Sequence, residues 1–356
     1  MRAWSLAVGL IVLANVAAAG EPFGPDEYLR ILSDSKLRYN ILGQPVKTPV
    51  EVRSCPNRDE SMRVVQRGGE KKLVPWPMSL DVSRLLADGE KSFQAGKYLE
   101  AAVKYAAALE KDPESAAGHL FYGDALLLGG KDPEAALAEY QKAIALDPTL
   151  PMAHFFASTA YVQLERKADA REEIIRALTF RPSYEAVWKV ARQNPKTWGI
   201  RPVTLHRFEP PKGYLGVKGA NGIDVFGGAN GEWLGYAICK AVWANEDQFR
   251  TRHTDGGWAV EEEHACVLNQ LTSVLNATEA KLRKQAAGPI DEKDVIATLP
   301  PLEAHIFEAA NAKLLDGFIL FEIVGRNCPI ALCLMNDAAK QQIEAYIRRY
   351  VIVAAE

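Results

Sequence analysis

The sequence predicts a mainly α chain: a solenoid of three stacked helix pairs with a capping helix, followed by a mostly helical domain containing a small β or loop element. Three observations carry this. Pro113, Pro148 and Pro182 stand 35 and 34 residues apart, and each closes a segment with the same internal lettering. Inside each segment, small residues recur where two packed helices need to approach closely. After Trp198 glycine becomes more frequent, and apolar residues at helical spacing return further on. A unit of about 34 residues and two helices cannot bury its apolar face alone, so copies stack and offer a concave wall.

Residues 1–19 carry one positive charge, Arg2, an apolar run through Val16, and Ala17–Ala18–Ala19. This is the pattern of a cleavable signal peptide cut before Gly20, and it is too short and wrongly flanked to span a membrane. No cysteine sits at the cut, which disfavours a lipid anchor. The expectation is an exported protein, periplasmic or secreted, in a bacterial envelope rather than a eukaryotic secretory route. No integral membrane span is expected in the mature chain. Residues 20–80 hold one plausible helix, roughly Pro25 to Ser35, with Tyr28, Leu29 and Leu32 on a face. Beyond it, turn formers and charges without a sustained period predict an extended or partly mobile arm.

The repeat region, 81–194, contains copies over Ser83–Pro113, Ala117–Pro148 and Met152–Pro182. Each first helix has a small residue at one position: Gly89, Gly123 and Ser158. Each second helix has a small residue, a larger one four later, and Ala three after that. These are Ala101, Tyr105 and Ala108; Ala136, Tyr140 and Ala143; and Ala170, Ile174 and Ala177. Proline then ends the helix, because it lacks a backbone N–H. The turn between helices is Gly96–Lys97–Tyr98 in the first copy, one residue longer in the second (GGKDPE), and Glu165–Arg166–Lys167 in the divergent third.

On these residues, about 100 of 356, the chain resembles the tetratricopeptide repeat family, which implies a right-handed α-solenoid that binds other polypeptides. The resemblance places the first helices along the concave wall. It assigns a partner-binding groove to Leu86, Glu90, Phe93, Leu120, Asp124, Leu127, Met152, Phe155 and Val162. This wall is apolar with two acidic points. Family members that clamp a C-terminal carboxylate use Lys and Asn where this chain has Leu86 and Glu90, so that mode is set aside. The occupant is then an apolar protein or peptide segment, or a helix of the chain's own C-terminal region. Tyr184–Arg192 begins like a fourth first helix, with Trp188 at a large-aromatic position, and stops at Asn194–Pro195. It reads as the cap that an exposed solenoid end requires.

In 199–356, VTLHRF and GYLGVKG alternate like short strands. Helices are expected from Asn230 or Gly231 onward, from about Val260 to Lys284, through DEKDVIATL and PLEAHIFEAANAKLL, across GFILFEIVG, and from about Asn336 to Val351. Loss of Arg2 from 42 basic and 45 acidic residues leaves a net charge of −4, which does not support nucleic-acid binding. Five cysteines, Cys55, Cys239, Cys266, Cys328 and Cys333, leave at least one unpaired within the chain. Cys328–Cys333 and Cys239–Cys266 are both open as bridges.

Chemistry-bearing patterns are sparse. The glycines of GANGIDVFGGANGEW suit tight turns better than an anion cradle. His253, Asp255, Glu261 and His264 fall within twelve residues, and Glu261 and His264 share a helix face. A metal site of that kind needs a second such pair, which the sequence lacks, so the acidic run is read as complementing a helix N-terminus. No cofactor, metal or catalytic residue is assigned. The reading is a non-enzymatic interaction or assembly module. The alternatives are an enzyme or metal protein centred on His253, Glu261 and His264, and a structural protein whose groove its own C-terminal domain fills.

Overall fold

The computed structural model describes residues 25–50, 62–67, 70–250, 260–286 and 288–355, and the expected leader lies outside them. Two compact units emerge: Met1–Arg53 with His206–Ile323, and Ser54–Leu205 with Val324–Glu356. Each unit is discontinuous in sequence: the N-terminal residues sort with 206–323, and those after Ile323 sort with the repeats.

Helix α1 (Pro25–Asp34) and strand β1 (Tyr39–Ile41) open the described chain. Strands β2 (Met62–Arg67) and β3 (Glu70–Pro75) pair antiparallel, with Met62 opposite Pro75, so part of the expected arm is a hairpin. The repeats follow as α2 (Leu80–Gln94) and α3 (Tyr98–Lys111), α4 (Ala116–Ala125) and α5 (Pro133–Leu146), and α6 (Pro151–Gln163) and α7 (Lys167–Phe180). The cap is α8 (Glu185–Gln193). Ser79 and Ser115 accept from the backbone N–H of Val82 and Gly118, and Asp132 accepts from Ala135, so three of these helices start on a side-chain cap.

The small-to-large pairing is steric, as the spacing predicts. A Cβ on Gly89 would lie 2.4 Å from the Tyr105 ring, and one on Gly123 would lie 2.6 Å from Tyr140. Ala101, Tyr105 and Ala108, with their counterparts in the next two copies, have no measurable exposure. The extra residue of the second copy is absorbed as a π-helical turn, Leu126–Gly130, closed by Lys131 at φ 51°. Gly96 makes the same corner in the first copy at φ 75°, and Glu165 does so in the third at φ 58°, where a side chain is disfavoured.

In the other unit β1 runs parallel to β4 (Ile223–Val225). Leu215, Ile223 and Val225 pack on Ala237 and Ala241 of α9 (Leu234–Asn245). The short α10 (Asp247–Arg250) and the long α11 (Val260–Gln285) follow, then α12 (Glu292–Thr298), α13 (Pro301–Asn311) and α14 (Leu315–Ile319). A π turn, Leu320–Val324, extends α14, so GFILFEIVG is helical. VTLHRF is not a strand: residues 201–210 form no ladder, and of GYLGVKG only isolated bridges at Leu215, Gly216 and Gly219 pair.

Finally come α15 (Gly325–Asn327), α16 (Pro329–Leu334) and α17 (Asp337–Tyr346), the last continued by a π turn, Ile347–Val351. These belong with the repeats for identifiable reasons. Arg348 Nη2 meets Glu172 of α7 at 2.7 Å, and Lys340 lies over the Phe180 ring. Arg201 N donates to Val353 O and Ala355 N to Gly199 O, at 2.8 and 2.9 Å. The side of α7 left bare by the last repeat is therefore covered by the chain's own C-terminal segment.

Candidate functional site

The nine wall positions separate into two sets. Leu86, Leu120 and Leu127 are 6, 1 and 7% exposed and belong to the packing of the helix pairs themselves. Leu86 shares a core cluster with Val82, Ala101, Tyr105 and Ala125, against which Phe93 packs. Glu90, Phe93, Asp124, Met152, Phe155 and Val162 are half-buried and keep part of their side chains at the surface.

Glu90 and Asp124 occupy equivalent places on α2 and α4. Tyr105 O–H donates to Glu90 Oε2 at 3.3 Å, and Tyr140 O–H donates to Asp124 Oδ1 at 2.7 Å. In the first two copies the tyrosine that fills the groove beside the small residue thus also orients an acid on the wall. Burial pushes the Asp124 carboxyl up to about 7; the hydrogen bond from Tyr140 opposes the rise and the nearby Glu90 charge adds to it. This acid exchanges its proton near neutrality.

Phe155 is already contacted by the chain itself. Its ring lies 5.4 Å from Tyr184 and stacks on Trp198 at 6.4 Å. Trp198 is 4% exposed and closes a turn onto Pro195 O at 3.2 Å. The third copy's share of the wall is therefore partly taken up by residues on either side of α8.

A second repeating feature escaped the sequence reading. His119 Nε2, His154 Nε2 and Trp188 Nε1 each donate to the carbonyl of the proline six residues earlier, Pro113, Pro148 and Pro182, at 2.9, 2.9 and 2.7 Å. The other ring nitrogen of His119 meets Glu139 at 2.6 Å, and that of His154 meets Glu173 at 2.6 Å. Lys142 and Arg176 complete these carboxylates. The signal was present: His119, His154 and Trp188 keep the same 35- and 34-residue steps as the prolines.

In the other unit the weak metal candidates separate. Glu261 is exposed, whereas His264 is buried, with Nδ1 2.8 Å from Asp316 Oδ1 and Nε2 lacking a hydrogen-bond partner. Among the described residues no group of three or more His, Cys, Asp or Glu is placed to hold a metal, and His253 and Asp255 lie outside those residues. His305 stacks on His206 at 4.8 Å; burial first, and His206 second, push its imidazole down to about 4. Between α9 and α11, Tyr236 O–H and Lys240 Nζ donate to buried Glu263 at 2.9 and 2.7 Å. Burial opposes the Lys240 charge, yet Glu263 and Glu262 outweigh it and hold the ammonium well above its ordinary range.

Cys328 is disulfide-bonded, whereas Cys239, Cys266 and Cys333 are buried thiols in this structure, so Cys328 and Cys333 do not bridge; Cys55 lies outside the described residues. No described helix is long and apolar enough to cross a membrane.

The family model for the tetratricopeptide repeat matches residues 92–151. Similar solved structures include the first such domain of Spaghetti (RPAP3) bound to an HSP90 peptide, at 23% identity, covering 33% of this chain and 93% of that one, with a TM-score of 0.32. The first such domain of the human RPAP3 protein is 22% identical over 33% and 91% of the two chains, TM-score 0.32. The Yersinia enterocolitica type III secretion translocator chaperone SycD is 18% identical over 34% and 90%, TM-score 0.31. No curated protein matches the chain.

Proposed function

Taking as premise that the helix pairs of residues 83–182 are tetratricopeptide repeats, we propose that the chain works by binding a polypeptide segment along the first helices of its first two copies. The observation that carries this is the paired Glu90 and Asp124, each held at the surface by a buried tyrosine, beside the half-buried Phe93. That combination suits an extended or helical segment with apolar side chains and at least one basic residue. Both aromatic wall residues are half covered by their own chain, Phe93 by Tyr98 and Phe155 by Tyr184 and Trp198. The contacts on Phe155 support a second, narrower reading in which the chain fills the third copy's share of the groove itself.

The substitutions that test this avoid the buried leucines, which would unfold the repeat. Peptides selected by display on the wild-type chain should be apolar with a basic position. Phe93→Asp and Glu90→Lys should each weaken them about tenfold or more, as a central contact does. Affinity should rise with pH through 7 as Asp124 ionises. Two variants that keep wild-type circular dichroism and wild-type affinity would rule the wall out.

Export belongs to the same proposal. The leader-like composition of residues 1–19 and the Cys328 disulfide support it. The check is mass spectrometry of the mature N-terminus, expected at Gly20.

A further inference from the structure

The geometry points to a second disulfide, Cys239–Cys266, that staples α9 to α11. The two helices run antiparallel in near backbone contact: a Cβ on Gly235 would lie 2.7 Å from the Asn269 carbonyl oxygen and 2.9 Å from Ser273 Cβ. One turn further along α9, Cys239 faces Cys266, both with no measurable exposure, and their sulfurs lie 2.6 Å apart. That is well inside the ~3.5–4.0 Å at which non-bonded carbon atoms already settle, and sulfur is larger. Polar bonds fix the register on either side of the pair. Glu263 takes Tyr236 and Lys240 on one side; on the other, Gln270 accepts from Tyr236 N at 3.2 Å and donates to Glu232 O at 2.6 Å. Among the described residues no third metal-binding ligand joins them, and the two sulfurs face each other as reaction partners.

The bond forms by exchange with a small-molecule or protein disulfide. One cysteine loses its proton, and its thiolate attacks the donor S–S bond, giving a mixed disulfide and one donor thiolate. The second cysteine, deprotonated in turn, attacks the cysteine sulfur of that mixed disulfide. It closes Cys239–Cys266 and releases the other donor sulfur. Two electrons and two protons pass to the donor, which leaves as two thiols. Because neither sulfur reaches solvent in the folded unit, exchange precedes the docking of α9 on α11, and the finished bond is shielded from reductant.

The test refolds the reduced full chain with reduced and oxidised glutathione, alkylates with iodoacetamide in denaturant, and digests without reduction. Oxidation of Cys328 in the same digest reports that the conditions form disulfides. The expected product is one cross-linked peptide carrying Cys239 and Cys266, resistant to dithiothreitol until denaturant is added. Cys266→Ser should leave Cys239 alkylated and lower the unfolding midpoint of this unit by roughly 5–10 °C. Recovery of Cys239 and Cys266 as separate alkylated peptides alongside oxidised Cys328 would overturn the proposal. So would either of them cross-linked to another cysteine.

Discussion

The repeat unit and the unit built on α9 and α11 bury polar groups by opposite rules. In the repeats the buried His–Glu pair recurs one copy later with the same partners: Glu139 and Glu173 on His119 and His154, and those rings on Pro113 and Pro148. In the other unit Glu263, Gln270, Glu303 and His264 are equally buried, but each has a partner set of its own. The contacts differ in reach as well. The small-to-large pairs join residues about half a copy apart, while Tyr39 pairs with Ile223 across about half of the chain. Repetition and short reach make a structure modular; unique long-range pairing makes it depend on every part at once.

The sharpest way to break that comparison is to empty one repeat. Tyr140→Ala removes a fully buried ring and the hydrogen bond to Asp124, and should cost about 3–5 kcal/mol. Hydrogen exchange should show the loss centred on α4, α5 and their neighbours, with α9 and α11 unchanged. Loss of protection spread evenly over both units would mean that they unfold as one.

Next in size is the ring staple. His154→Ala leaves Glu173, with only Arg176, and the Pro148 carbonyl short of a donor, for about 2–4 kcal/mol by thermal or chemical unfolding. His264→Ala in the other unit removes one hydrogen bond from a side chain whose second nitrogen has none, and should cost less, about 1–2 kcal/mol. The reverse order would refute the view that regular pairing stabilises more than unique pairing.

The two units should also answer pH with opposite signs. Asp124 is raised to about 7, so the folded repeats keep a proton that the unfolded chain releases; their stability is fullest at acid pH and declines as pH rises from about 4 to 7. His305 is lowered to about 4, so the unfolded chain takes up the proton first; its unit is most stable above pH 6.5 and weakens as pH falls toward 4. Asp124→Asn should flatten the first slope and His305→Phe the second, each followed by region-resolved hydrogen exchange. The smallest expected effect is a gain: Glu165→Gly relieves a left-handed corner and should stabilise the third copy by about 1 kcal/mol in a melting experiment.

What was legible in the sequence follows the same division. Ala101, Tyr105 and Ala108 announced themselves because helical spacing and copy spacing agree there. The π turn at Leu126–Gly130 was visible as an extra residue but not as a widened helix, since composition does not separate the two. His119 and His154 keep the spacing of the prolines, but nothing local marks either ring as the partner of a carbonyl six residues back. The hairpin of Met62–Arg67 and Glu70–Pro75 was hidden because its strands carry charges that blur the two-residue period. VTLHRF alternates but forms no ladder, so its pattern never became a sheet. Of the wall, the small and large partners could be read, but which leucines face inward depends on how neighbouring copies rotate. Cys239–Cys266 was one of two bridges the cysteines left open, and nothing local to either residue decided between them.

The widened turn at Leu126–Gly130 has a use for anyone altering this protein. An added residue is swallowed where it enters, and the copies before and after keep their phase. The exposed corner at Gly130–Lys131 is thus the seam at which a label or sensor loop can be spliced in while the rest of the array stays in step.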